Sequence, residues 1–242
     1  MYTALMNTEE FRKAISKIDT IIIPVGSHEA HGMHCPLGTD NLIPERLCAD
    51  LEGQMADEVL TMPPVNYGYT PLLAAFSGTV CLKAETLVSL YSEIGCALAA
   101  WGAKNIIFMN GHGGNIAMLS IACDRIAEAG ATAAAISWWA TYSNEILKIC
   151  STQGHAGEDE TSLVLAIDTS LVDPKGTKKH MKKGFVAPLA GPGLLKARFP
   201  DAMNGDAGLA SKEKGQELFR MMLEKNMDFV MRIKKGQFTD DI

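Results

Sequence analysis

Residues 19–40 read DTIIIPVGSHEAHGMHCPLGTD. The first seven residues form an apolar, β-branched run of strand length. After Val25 the chain turns polar and is punctuated by glycine and proline, so a buried strand ends there and a loop begins. Working outward, the pattern recurs. KNIIFMN (104–110) is a second buried strand candidate, EVLTMPPV (58–65) a third and ATAAAISWW (131–139) a fourth. Helical spacing fills the intervals: from Asn7 and Thr8 with Phe11, Ala14 and Ile15 on one face, then 42–55, 83–102, 115–129, ETSLVLAI at 160–167 and about 209–234. Strands taking turns with helices imply an α/β fold, a three-layer α/β/α arrangement whose mostly parallel central sheet is covered on both faces. A chain of 242 residues fills one large core, so a single domain over 1–242 is expected.

Several function classes fall away on composition. A formal charge of −6 gives no overall attraction to nucleic acid or an anionic membrane. The one basic stretch, KGTKKHMKKG at 175–184, reads as a solvated loop, because lysines without interleaved aromatics are weak nucleic-acid evidence. The N-terminal MYTALMNTEEFRK lacks the basic start and apolar stretch of a secretory signal, and no apolar run approaches membrane-spanning length, so a cytoplasmic location is expected. The six cysteines contain no CxxC pair, which suits reduced thiols; Cys35, beside His34, reads as a bystander. The Gly/Pro-rich part at 184–208 is the expected irregular, functional loop.

Ligands of parallel α/β sheets bind beyond the carboxyl ends of the strands. Two polar motifs follow such ends directly: residues 26–40, and NGHGGN at 110–115. A third, GHAGEDETS at 154–162, precedes a helix. Glu29 and His31, one residue apart in extended chain, can point the same way, and Asp40 can rejoin them after the loop. Carboxylates and imidazoles in this mixture suit Zn²⁺, Mn²⁺ or Fe²⁺, and His112 adds another imidazole. Gly111, Gly113 and Gly114 allow a tight turn and close backbone approach. Against this, a single loop histidine is usually a satisfied hydrogen-bonding residue; three clusters at strand ends are harder to explain so. GHGGN is not GxGxxG and carries an obstructing imidazole, which ranks nucleotide binding lower. Trp138, Trp139 and Tyr142 read as core or interface residues more readily than as substrate contacts, although their position before the third motif leaves that second role open.

The pattern PVGSHEAHGMHCPLGTD resembles the hallmark of the creatininase (creatinine amidohydrolase) family. NGHGGN and GHAGEDETS are similar to its second and third motifs, and FSGT at 76–79 to its Phe-Pro-Gly-Thr segment. The resemblance implies a creatininase-like fold and a binuclear hydrolase with two divalent ions per chain. Residues matching Glu29, Asp40 and His112 would hold one ion, and those matching His31 and Asp40 the other, with Asp40 as the bridge. Creatininase takes a further ligand from a glutamate two residues after the second-motif histidine, where this chain has Gly114. Glu160 is the first candidate to replace it and Glu158 the second. Ala30 stands where many relatives have glutamine, and Leu73 where many have histidine, changes that bear on the pocket.

The expected chemistry is attack by a metal-activated water on a C–N bond of a small cyclic or linear amide, creatinine amidohydrolase-like. His155 is placed to move a proton, with Glu160 as a second catalytic candidate, and backbone amides at 113–114 could steady an oxyanion. Two alternatives stand beside it: C–C cleavage of a cyclic ketone, as by a 3-dehydro-scyllo-inosose hydrolase, and a metal- or sugar-binding module without turnover. Expected partners are a small-molecule substrate and further copies of the chain, a hexamer by resemblance, with no nucleic acid and no membrane.

Overall fold

The computed structural model describes residues 1–181 and 199–237. Four strands form one parallel sheet in the order β2-β1-β3-β4: β1 (Thr20–Val25), β2 (Leu60–Thr61), β3 (Asn105–Asn110) and β4 (Thr132–Ser137). The register aligns Val25 with Asn110 and Asn110 with Ser137, so the three longer strands end level. Their side chains divide by the two-residue strand period. Ile21, Ile23, Ile106 and Phe108 pack with α1 (Thr8–Ile15), α3 (Ala84–Ala100) and α4 (Ile116–Glu128). Ile22, Ile107, Met109 and Ile136 pack with α2 (Thr39–Gln54), α6 (Ser143–Ile149), α7 (Glu158–Ile167) and α8 (Lys212–Lys234). Both faces are covered, as the apolar strand runs require, and the three-layer expectation holds.

Local chemistry sets the element ends. Asn7 accepts from the amides of Glu9 and Glu10 while Glu10 accepts from the Asn7 amide, a capping box that starts α1. Helix α2 starts three residues earlier than the spacing indicates. The Thr39 hydroxyl donates to the Pro36 carbonyl, and Asp40 thereby falls in the first helical turn. The strand expected at 58–65 shrinks to two residues, because Pro63 and Pro64 lack the amides a ladder needs; one further bridge, Val25 to Val65, follows them. The strand expected at 131–139 stops at Ser137. Its neighbour β3 ends at Asn110, so later residues have no backbone to pair with, and the chain turns into the short helix α5 (Trp138–Thr141). This turn sinks Trp138 and Tyr142 into the chain's own core, which removes both as interface aromatics.

Of the irregular loop expected at 184–208, residues 184–198 lie outside the described residues. A short antiparallel pair, β5 (Lys179–His180) and β6 (Gly205–Asp206), frames it. In the described part of the basic stretch Lys178 pairs with Asp201 at 2.7 Å and Lys179 with Asp206 at 2.9 Å. Among the described residues no helix is long and apolar enough to cross a membrane.

Truncating a central-strand side chain tests this core. Ile107→Ala removes a fully buried side chain between β1 and β4, and is expected to cost about 2–5 kcal/mol of unfolding free energy. Urea denaturation measures it, as a lowered midpoint at unchanged slope.

Candidate metal centre

The level ends of β1 and β3 deliver their loops to one place. Glu29 follows β1, His112 follows β3, and Asp40 comes down on the first turn of α2; all are buried. Asn110 and Asn115, which bracket the second motif, stitch these loops together. Asn110 donates to the His112 carbonyl at 2.9 Å and to the Ser137 hydroxyl at 3.0 Å; Asn115 donates to the Gly26 carbonyl at 2.9 Å.

Asp40 sits at the centre. Its Oδ1 is 2.9 Å from His31 Nε2, and its Oδ2 is 2.9 Å from His112 Nδ1. Glu29 Oε2 is 3.2 Å from the same His112 nitrogen, and Glu160 Oε2 is 3.6 Å from the same His31 nitrogen. Two donor triads share Asp40, Glu29–Asp40–His112 and His31–Asp40–Glu160, each compact enough to surround one ion, and a third group of similar compactness, Glu29–His31–His155, lies beside them.

The imidazoles are oriented from behind. A carbonyl can only accept, so the ring nitrogen that meets one must carry the proton. His31 Nδ1–H donates to the Glu29 carbonyl at 3.1 Å, His112 Nε2–H to the Tyr69 carbonyl at 3.0 Å, and His155 Nε2–H to the Ala30 carbonyl at 3.0 Å. Each remaining nitrogen faces the carboxylates. This is how proteins fix the tautomer and direction of metal-binding histidines. The Ser27 hydroxyl likewise donates to Glu29 Oε2 at 2.8 Å, and the Ala156 amide to Glu160 Oε2 at 2.6 Å.

The electrostatics favour positive charge here. Three carboxylates are buried together, and among the described residues no lysine or arginine pairs with them. Burial works to raise the Asp40 pKa, but the flanking His31 and His112 outweigh it and hold the carboxyl below its ordinary range. Burial works to lower His31, and Asp40 outweighs it, pushing the ring up to about 10. Burial, with the charges of Asp40 and Asp159 adding to it, drives Glu160 well above the usual carboxylate value. A divalent cation would balance the buried carboxylates, and a mixed N/O donor set suits Zn²⁺ or Mn²⁺.

His155 lies at the margin of the cluster. Its Nδ1 is 3.9 Å from Glu29 Oε1, and its ring packs against His31 at 4.2 Å between centroids and edge-on to Phe199 at 5.5 Å. Burial, with His31 adding to it, lowers its pKa to about 4, away from the near-neutral titration that a free imidazole would give.

The other sequence expectations divide. Glu160 joins the cluster; Glu158 does not. The Glu158 carboxylate accepts from the amides of Ser151 and Thr152, the Thr152 hydroxyl and, at 2.6 Å, Lys214, which turns it away from the centre. Cys35 also stands outside the two triads, its thiol pushed up to about 12 by burial. Gly114 is filled from another direction: a Cβ there would collide with the Tyr69 carbonyl oxygen. Trp139, read as core or interface, lines a cavity of about 560 Å³ that opens on the cluster, together with Tyr69, Leu72, Leu73 and Phe199.

Sequence reasoning missed Ser27, Asp159 and the Tyr69 carbonyl. Asp159 lines the same cavity, accepts the Gly154 amide at 3.1 Å and is raised to about 7 by burial. Its sequence signal was an acidic residue between two glutamates, with nothing to separate it from them. A backbone carbonyl has no sequence signal at all.

Known proteins resemble this chain over most of its length. A mycofactocin precursor peptide peptidase of Mycobacterium ulcerans (strain Agy99) is 32% identical over 89% of this chain and 85% of that protein. A 3-dehydro-scyllo-inosose hydrolase of Thermotoga maritima is 26% identical over 93% and 80%, and a creatinine amidohydrolase of Pseudomonas putida 26% identical over 95% and 96%. Among solved structures, a creatininase of Zn-Zn type superposes with a TM-score of 0.84 at 25% identity, covering 96% of this chain and 97% of that one. A manganese creatininase gives the same score and identity, with 96% and 98% covered. The family profile described as creatinine amidohydrolase matches residues 4–230, and the chain is a hydrolase belonging to the creatininase family.

Proposed function

We propose that this hydrolase uses two divalent ions to cleave a C–N bond of a small amide. The carrying observation is the shared Asp40, whose two oxygens stand at 2.9 Å from imidazole nitrogens of different triads. Glu29, Asp40 and His112 would hold one ion; His31, Asp40 and Glu160 would hold the other. When bound, such a pair supplies an acidified water and a Lewis acid for the substrate carbonyl.

The protein's own groups do the rest. Ser27 and the Ala156 amide fix Glu29 and Glu160 by direct hydrogen bonds. His155, held by the Ala30 carbonyl with Nδ1 towards the carboxylates, is the proton carrier to the leaving nitrogen. Gly113 and Gly114 line the cavity, where their amides can meet a developing oxyanion. Leu72, Leu73, Trp139 and Phe199 give the cavity an apolar wall that excludes water and favours a substrate with an apolar body.

The name of the Thermotoga maritima relative supports one second reading, C–C cleavage of a cyclic ketone by the same centre. A homo-oligomer in the cytoplasm, a hexamer by family resemblance, belongs to the same proposal.

Metal analysis and chelation test the reading. The purified protein is expected to carry two transition-metal ions per chain. Chelation should abolish hydrolysis and lower the unfolding temperature, because an ion bound only by the folded state stabilises it; added Zn²⁺ or Mn²⁺ should restore both. Product identification by mass spectrometry on lactams, short peptides, formamides and cyclic ketones separates C–N from C–C cleavage. Glu160→Gln should lose one ion preferentially. A protein with no bound transition metal and no metal-dependent turnover would refute the proposal.

A further inference from the structure

The first motif holds a second buried histidine, His34, that no step above uses. His34 is 2% exposed, and its Nε2 shares a 3.0 Å hydrogen bond with Thr161 Oγ1. Thr161 is itself 1% exposed, and its other side-chain contact is the weaker one from Cys35 Sγ at 3.7 Å.

Residues 31–35 form a tight turn. The Cys35 amide donates to the His31 carbonyl at 3.2 Å, and His31 and Cys35 form an antiparallel bridge. Gly32, at φ +63°, sits where a side chain would strike the His34 ring and reach Ala156. The His34 carbonyl accepts the Asp173 amide at 2.9 Å, which anchors the turn from outside. The turn therefore presents two imidazoles to the start of α7. His31 faces Glu160 itself, and His34 grips the next residue.

Glu160 immediately precedes Thr161. It lies in the first turn of α7, and its carboxylate accepts from Ala156, a residue at φ +51° in the loop entering the helix. A small rotation of this turn would swing Glu160 away from His31 and Asp40. We propose that His34 is a positioning residue: through Thr161 it fixes the first turn of α7, sets Glu160 against His31 and Asp40, and so raises the affinity of the ion held by that triad. This rests on the two-ion reading above.

The test uses the full chain, stripped by chelation and titrated with Co²⁺, followed by calorimetry and by visible absorption of the bound ion. Wild type is expected to bind two ions. His34→Ala should leave one ion within about threefold of wild type and weaken the other by about 10–100-fold, the usual effect of removing a partner behind a metal ligand. The absorption band of that ion should shift. His34→Gln, whose amide can reach Thr161 Oγ1, should recover most of the loss. Thr161→Val preserves shape and should reproduce His34→Ala, and the double variant should be no worse than either; it carries the test if His34→Ala does not fold. Wild-type affinity for both ions in His34→Ala or Thr161→Val would overturn the inference while leaving the two-ion centre standing. Equal weakening of both ions with a lowered unfolding temperature would also overturn it, as a general structural effect. Wild type binding no ion would remove the centre and the inference together.

Discussion

Asp40→Ala is expected to empty both ion positions and reduce turnover to background. No other side chain belongs to both triads, and each of its oxygens faces a different histidine at 2.9 Å. Removing one carboxylate therefore leaves two residues for each ion, fewer than the three protein ligands that catalytic zinc sites ordinarily keep. His31→Ala is the informative contrast. It leaves Glu29, Asp40 and His112 intact, so one ion should remain. Asp40→Ala also strips His31 and His112 of a buried partner, a loss that costs about 3–5 kcal/mol of stability, so it is compared with Asp40→Asn, which keeps the shape. Elemental analysis after dialysis, with circular dichroism as the control for folding, decides the matter. Two ions per chain in Asp40→Ala would show that the constellation is wrong.

His155→Ala should do the reverse: keep both ions and lose turnover by about 10²–10⁴-fold, the range for a missing general acid or base. The separation follows from distance. The donors of the two triads approach to 2.9–3.6 Å, whereas His155 Nδ1 is 3.9 Å from its nearest carboxylate oxygen. The ring is also clamped by Ala30, His31 and Phe199, so its loss removes a positioned group while the triads stay intact. Metal content and turnover measured on the same preparation distinguish the outcomes. Loss of an ion would instead make His155 a ligand beside Glu29 and His31, a grouping the geometry also allows.

Much of this was legible because strand ends announce themselves. The apolar runs 19–25 and 104–110 stop where Gly26 and Gly111 begin, and the parallel register makes their loops neighbours. Glu29, His31, Asp40 and His112 could thus be grouped from sequence. Glu160 could be preferred to Glu158 but not separated from it, since residues of one helical turn differ only in the direction they face. The deciding facts were Lys214 and the amides of Ser151 and Thr152, which claim Glu158 from remote or backbone positions. Trp139 takes both roles left open for it: partly buried, it packs against the core that holds Trp138, and it also lines the cavity. Pro63 and Pro64 were visible as poor strand residues, and the strand drawn through them overlooked their missing amides.

Gly114 carries a consequence for how such a centre can change by descent. The resemblance to creatininase would put a glutamate here, where this chain has no side chain, and the carboxylate proposed for the second ion, Glu160, stands on a different segment. A side chain at 114 has no room, because the Tyr69 carbonyl occupies the space it would need. Gly114→Glu alone would meet backbone before it met metal, and a glutamate there would require the loop at Tyr69 to withdraw first. The two positions are therefore epistatic: the order of substitutions matters, and a search that asks for glutamate after the second-motif histidine would pass over this chain.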